Sequence, residues 1–108
     1  MNKVVTIAGE TASPIELNYQ KLKQSALVLR ALNHKLRRRI IEMLNENEEM
    51  VVTDIYVKLR IEQSVASQHL AILRKAGIVN TTRNGKYILY SLNTERLNEI
   101  VTFVEGIA

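Results

Sequence analysis

The chain has 108 residues, 46% hydrophobic and 24% charged, with 15 lysines and arginines against 11 acidic residues, a formal net charge of +4 and no cysteine. That length and composition fit one small globular domain rather than a disordered segment, and a domain this small gains from a dimer interface because folding covers only part of its surface. Disulfides, thiolate metal sites and thiol redox sensing are excluded; no apolar run reaches the roughly eighteen residues of a membrane span; the N-terminus lacks the features of a secretory signal, so a cytoplasmic protein is expected.

Residues 1–12 read as a flexible tail, followed by one domain over 13–108. Ser13-Pro14-Ile15-Glu16 carries the marks of a helix start: a capping serine, a proline suited to the first helical position and a glutamate able to complete a capping box. A first helix over about 14–30 is therefore expected. In it Ile15, Tyr19, Leu22, Ala26 and Leu29 recur at alternating spacings of four and three, the stripe of a helix lying along another helix. Such a stripe serves a dimer contact or the chain's own core.

Leu32, Leu36, Ile40 and Leu44 give a second helix its apolar side, with Lys35, Arg37, Arg38 and Arg39 on the others. From Lys21 to Arg39 the charges are all basic, and the run Glu42, Glu46, Glu48, Glu49 and Asp54 then reverses the sign. Thr53 or Asp54 is placed to cap a short third helix with Ile55 and Leu59 inward. A fourth helix runs from about Gln63 to Ala76 and ends at Gly77, a C-terminal cap residue. Val79 to Arg83 and Tyr87 to Leu92 read as strands joined at Asn84-Gly85, a hairpin signal. Asn93 caps a last helix over about 93–106, with Leu97, Ile100, Val101 and Val104 on one face.

The fourth helix carries the functional signal. Ala66, Leu70 and Leu73, spaced by four and three, turn inward; Ser64, Ser67, Gln68 and Ala71 then share the outward side. Solvated helix faces are usually richer in charge than this one. Major-groove readers need short or amide side chains near the helix N-terminus, since glutamine pairs bidentately with adenine and serine reaches base edges or phosphates. Gln63, Ser64, Ser67 and Gln68 meet that need. A short helix, a turn, a helix with such a front and a following hairpin make a winged helix-turn-helix, mainly α with a β-hairpin wing, in the order helix, helix, helix, helix, hairpin, helix. Arg83, Asn84 and Lys86 at the wing tip are candidates for DNA backbone or minor-groove contacts.

The stretches ALNHKLRRRIIEML (31–44), QSVASQHLAILRKAGIV (63–79) and RNGKYILYSL (83–92) together resemble the ArsR/SmtB family of bacterial winged-helix repressors, from Leu29 to Leu92. The resemblance implies a homodimer built from the first and last helices and double-stranded DNA as partner. It also implies two reading helices set in successive major grooves of an imperfect palindrome, roughly 34–36 Å apart, and repression by blocking a promoter. It carries DNA contact over to Gln63, Ser64, Ser67, Gln68 and His69, with Val65 against a thymine methyl or simply filling core. For His69 a phosphate contact through a ring N–H is weighed against a purely structural hydrogen bond.

The chain departs from the family where signals are sensed. The metal box that often reads E-L-C-V-C-D-L stands here as Glu49-Met50-Val51-Val52-Thr53-Asp54-Ile55, without thiolates. The last helix offers Glu95, Glu99 and Glu105 but no histidine, so zinc would lack nitrogen donors. No metal and no cofactor is expected. Arg60 and Glu62 replace the glycine and serine often found at the turn and cap before the reading helix. No catalytic residue is proposed: of the 2 histidines only His34 is spare, and the family commonly has a histidine there without catalytic duty. The competing reading is a winged-helix module that binds proteins rather than DNA.

Overall fold

A computed structural model of the chain describes residues 2–5 and 15–107. The elements are β1 (Asn2–Val5), β2 (Ile15–Asn18), α1 (Tyr19–Leu32), α2 (Lys35–Glu46), β3 (Met50–Val51), α3 (Val52–Leu59), α4 (Gln63–Lys75), β4 (Val79–Asn84), β5 (Tyr87–Leu92) and α5 (Thr94–Ile107). The helix-turn-helix is α3–α4 and the wing is β4–β5, as expected. Among the described residues no helix is long and apolar enough to cross a membrane.

The N-terminal segment departs from the expected helix and tail. Ser13 and Pro14 lie outside the described residues, but Ile15 and Glu16, assigned to the first helix, stand in β2, and the helix starts at Tyr19. Asn2–Val5, placed in a flexible tail, pairs antiparallel with β2, in the register Asn2↔Asn18 to Val5↔Ile15. Backbone pairing with a distant segment outweighs the local capping signals, as tertiary context commonly does.

The core draws one or more residues from every later helix. Val28, Ile40, Leu44, Ile55, Leu70, Leu73, Ile78 and Ile100 are its largest fully buried side chains. Each contributes about 1.5–3 kcal/mol by leaving water. In α1 the residues turned to this core are Val28 and Ala31, beside a buried Ser25 whose hydroxyl donates to the Lys21 carbonyl at 2.7 Å. The predicted stripe of Tyr19, Leu22, Ala26 and Leu29 is a different face: Leu22 is half-buried, while Tyr19, Ala26 and Leu29 are exposed. On α5, Ile100 is buried, Leu97 and Val104 pack against the core, and Val101 is left outside. Lys21 and Glu99, 3.1 Å apart, tie α1 to α5.

Helix ends follow the sequence in part. His34 caps α2, its Nδ1 accepting from the Leu36 N–H at 3.1 Å. Asn93 caps α5 by accepting from the Arg96 N–H at 3.1 Å. Neither Thr53 nor Asp54 caps α3: the helix begins earlier, after an extended Val51 with no side-chain cap. The reason is β3, whose pairing of Met50 with Tyr90 and Val51 with Leu89 delivers the chain directly into the first turn. This third strand, in the order β3-β5-β4, was not foreseen. The wing loop is also displaced by one residue. Asn84 pairs with Tyr87, so the two-residue loop is Gly85-Lys86, with Gly85 at φ 63, the positive φ that tight hairpin loops demand.

Gly77 closes α4 as expected. Its N–H donates to the Arg74 carbonyl at 2.9 Å and the Ile78 N–H to the Leu73 carbonyl at 3.0 Å, the Schellman pattern, with Ile78 and Leu73 both buried beneath it. Gly77 sits at φ 79, and a Cβ there would meet the Arg96 guanidinium at 3.4 Å. Gly77→Ala should therefore lower the unfolding free energy by about 1–2 kcal/mol, the cost of a left-handed side-chain-bearing residue. Urea denaturation measures this, and an unchanged midpoint would contradict the cap assignment.

Candidate nucleic-acid interface

The position of α4 in the core decides which side chains face outward. Ala66, Leu70 and Leu73 are sealed in the core, at 0%, 1% and 0% exposure. Gln63, Ser64, Ser67, Gln68 and Ala71 are all exposed. This front carries no acidic residue, and its last turn adds Arg74 and Lys75. Val65 and His69, on the flank, are half-buried.

The turn leading into α4 keeps its geometry without the residues that usually secure it. Arg60 occupies the left-handed region at φ 57, ψ 45, the conformation a glycine would supply freely. Its N–H donates to the Val57 carbonyl at 3.2 Å and the Ile61 N–H to the Tyr56 carbonyl at 3.1 Å. Glu62 takes the N-cap position of α4 but makes no side-chain cap bond. Its carbonyl instead accepts from the Val65 and Ala66 N–H groups, each at 3.1 Å.

On one side the front continues into the wing. Ser67, Leu70, Ala71, Arg74, Lys75 and Tyr90 line an open groove of about 430 Å³ between α4 and β5. At the wing's far end Arg83, Asn84 and Lys86 are exposed, with the Lys86 ammonium 5.4 Å from the Tyr87 ring centroid. Tyr87 is itself exposed and was not among the sequence candidates. The wing thus holds its basic residues apart from the reading front, joined to it by a groove with a cationic edge.

On the other side lies a cluster that charge counting missed. Arg37, read as one of a basic run on the solvent side of its helix, is only 9% exposed. Its Nε donates to the Ala31 carbonyl at 2.7 Å and its Nη2 to the Arg30 carbonyl at 3.4 Å. Its Nη1 lies 3.3 Å from His69 Nδ1. One guanidinium therefore fastens the end of α1 to the reading helix. The signal was present: Arg37, Ile40 and Leu44 are spaced by three and four, which places Arg37 on the buried stripe. His69 is also within 4.5 Å of His34, ring centre to ring centre. Burial, His34 and Arg37, in that order, hold the His69 imidazole below its ordinary pKa of 6.5. Among the described residues no group of three or more histidine, aspartate and glutamate side chains is placed to hold a metal ion.

Comparison with known proteins agrees with the winged-helix fold. Residues 34–81 match the family model described as "Bacterial regulatory protein, arsR family". An uncharacterized HTH-type transcriptional regulator of Methanocaldococcus jannaschii is 34% identical over 86 residues, covering 80% of this chain and 97% of that protein. The transcriptional repressor PagR of Bacillus anthracis is 29% identical over 92 residues, 85% of this chain and 92% of its own. Its crystal structure superposes with a TM-score of 0.69 at 30% identity over 81% of this chain and 99% of that one. The structure of HlyU from Vibrio cholerae gives 0.66 at 32% identity over 80% and 94% of the two chains.

The His69 environment makes stability depend on pH. With its folded pKa below 6.5, the unfolded chain binds a proton more readily than the folded one. The contribution is thus fully present above pH 6.5 and is lost as pH falls through the folded value. Denaturant midpoints should drop between pH 7.5 and 5.5, and His69→Phe should flatten that drop. An equal drop in the variant would place the titrating group elsewhere.

Proposed function

This chain belongs to the ArsR family of bacterial regulatory proteins, a DNA-binding winged-helix transcriptional regulator and not an enzyme, and from that premise we propose that it is a cytoplasmic homodimeric repressor that occupies an imperfect palindrome in a promoter. The observation that carries the reading is the exposed, acid-free front of α4. Gln63, Ser64, Ser67 and Gln68 read base edges in the major groove, Gln68 by bidentate pairing with adenine. Val65, half-buried on the flank, mainly fills space. His69 donates a ring N–H to a phosphate. Arg83, Asn84 and Lys86 on the wing hold the backbone or the minor groove alongside. The repressor named among the relatives supports blocking of a promoter as the mode of action.

The dimer reading rests on apolar surface that the single chain leaves open. Tyr19 at 42%, Leu29 at 51% and Val101 at 49% exposure lie on α1 and α5, the two helices joined by Lys21 and Glu99. A second copy laid along these helices covers that surface and sets two α4 helices at the spacing of successive major grooves. Light scattering should give twice the chain mass of 12.3 kDa. Leu29→Glu with Val101→Glu should return the mass to that of one chain, since burying two unpaired charges outweighs the contact. A wild-type monomer at micromolar concentration would remove the palindrome from the proposal.

DNA binding is tested by titrating the upstream region of the protein's own gene, with footprinting to locate the site. The log of the binding constant should fall against log salt with a slope of about −6 to −10 if it neutralises that many phosphates. Gln68→Ala and Ser67→Ala should weaken operator binding more than random-DNA binding, whereas Lys86→Ala should weaken both alike and lower the slope by about 1. Salt-insensitive or absent binding would overturn the assignment and favour a protein partner.

A further inference from the structure

Two histidines meet on the flank of α4 that faces away from the wing. His69 is two residues beyond Ser67 and so roughly 200° around the helix, while Ser67 borders the groove shared with Tyr90 of the wing. The rings of His34 and His69 lie 4.5 Å apart, tilted by 52°. Each ring has one nitrogen committed as an acceptor. His34 Nδ1 takes the Leu36 N–H, and His69 Nδ1 faces Arg37 Nη1, a group that only donates. A neutral imidazole accepting at Nδ1 carries its proton at Nε2, so both rings are in the same tautomer.

Those two Nε2–H donors have no hydrogen-bond partner among the described residues, and solvent reaches both. Among the described residues, the fully buried side-chain nitrogen or oxygen that lacks a partner is Arg96 Nε, not either histidine. Behind them lies Arg37, a buried cation whose bonds all run to uncharged acceptors, the carbonyls of Ala31 and Arg30 and the His69 ring. Among the described residues no carboxylate pairs with it. A desolvated cation without a counter-ion favours an anion nearby, and the hydrogen bond from Arg37 to His69 polarises the Nε2–H beyond it. Lys35 and Arg38, exposed on the first turn of α2, add charge of the same sign, and that turn holds no acidic residue.

We propose that His34 and His69 together form a two-donor site for a DNA phosphodiester, gripping the backbone on the side of the reading helix opposite the wing. The inference rests on the DNA-binding reading and extends it to a residue, His34, that otherwise only caps α2. Wing and histidine pair then hold the two strands that border one major groove, and α4 lies between them. Because the donors are neutral, the contact adds affinity without releasing further counterions. This sets it apart from a lysine contact.

The test has a signature that a purely structural role would lack. In long-range proton–nitrogen spectra of the wild-type protein at pH 7.5, both rings should show protonated Nε2 and bare Nδ1. Adding duplex DNA should shift both Nε2 signals. His34→Asn keeps a capping acceptor for the Leu36 N–H and His69→Phe keeps a ring. Each should weaken operator and random DNA alike, by roughly tenfold, at an unchanged salt slope. Loss confined to the operator, Nε2 signals unmoved by DNA, or no loss in either variant would overturn the proposal. So would inorganic phosphate at millimolar concentration shifting both signals as DNA does, which would mark a site for a free phosphate compound. Complete absence of DNA binding by the wild type would instead remove the reading on which the proposal rests.

Discussion

The seating of Ala66, Leu70 and Leu73 in the common core is the constraint from which the rest of the molecule takes its meaning. These positions are essentially without solvent contact, and Leu70 and Leu73 share one cluster with Val28 of α1, Ile40 and Leu44 of α2, Ile55 of α3, Ile78 beyond α4 and Ile100 of α5. Turning α4 by a single residue would rotate it by about 100°, exposing leucines and burying serine and glutamine amides at several kcal/mol each. The apolar edge thereby sets the direction of the polar front. Recognition chemistry on Gln63, Ser64, Ser67 and Gln68 is a by-product of hydrophobic register. The side chains that would read DNA need contribute nothing to stability themselves.

This also explains why the joint before α4 tolerates unhelpful residues. Arg60 holds a left-handed backbone conformation that glycine would adopt at no cost, and Glu62 occupies a cap position without making the cap bond. Both penalties are on the order of 1 kcal/mol, less than the burial of any one core leucine. Backbone bonds from Arg60, Ile61, Val65 and Ala66 carry the turn. At the other end Gly77 and the paired burial of Leu73 and Ile78 stop the helix and start the wing in one motif.

The segment matching the family's metal box has a mechanical place in the fold. Met50 and Val51 are hydrogen-bonded to Tyr90 and Leu89, and Tyr90 borders the groove beside the reading front. In this chain Val51 and Thr53 stand at the thiolate positions of that box, so the strand links the start of α3 to the wing without a thiol ligand to govern it. With no cysteine in the chain, that link carries neither a metal thiolate nor an oxidisable thiol.

The sequence by itself determined the elements whose signals are local and repeated. Burial on one side of a helix imposes a period of 3.6, which exposed α2, α4 and α5. Gly77 and Asn93 mark real ends because cap chemistry is satisfied within a few residues, and the hairpin was legible to within one position. The tertiary structure alone decided what depends on distant partners. The β1–β2 pairing overrode a helix start at Ile15 and Glu16, and β3 formed against a strand some forty residues later in the chain. The stripe on α1 proved to be outer surface and not core. Arg37 moved from a counted surface charge to a buried tie between α1 and α4. A sequence lists its charges, but the environment of a charge, whether water, carbonyl or imidazole, exists only once the chain has closed around it.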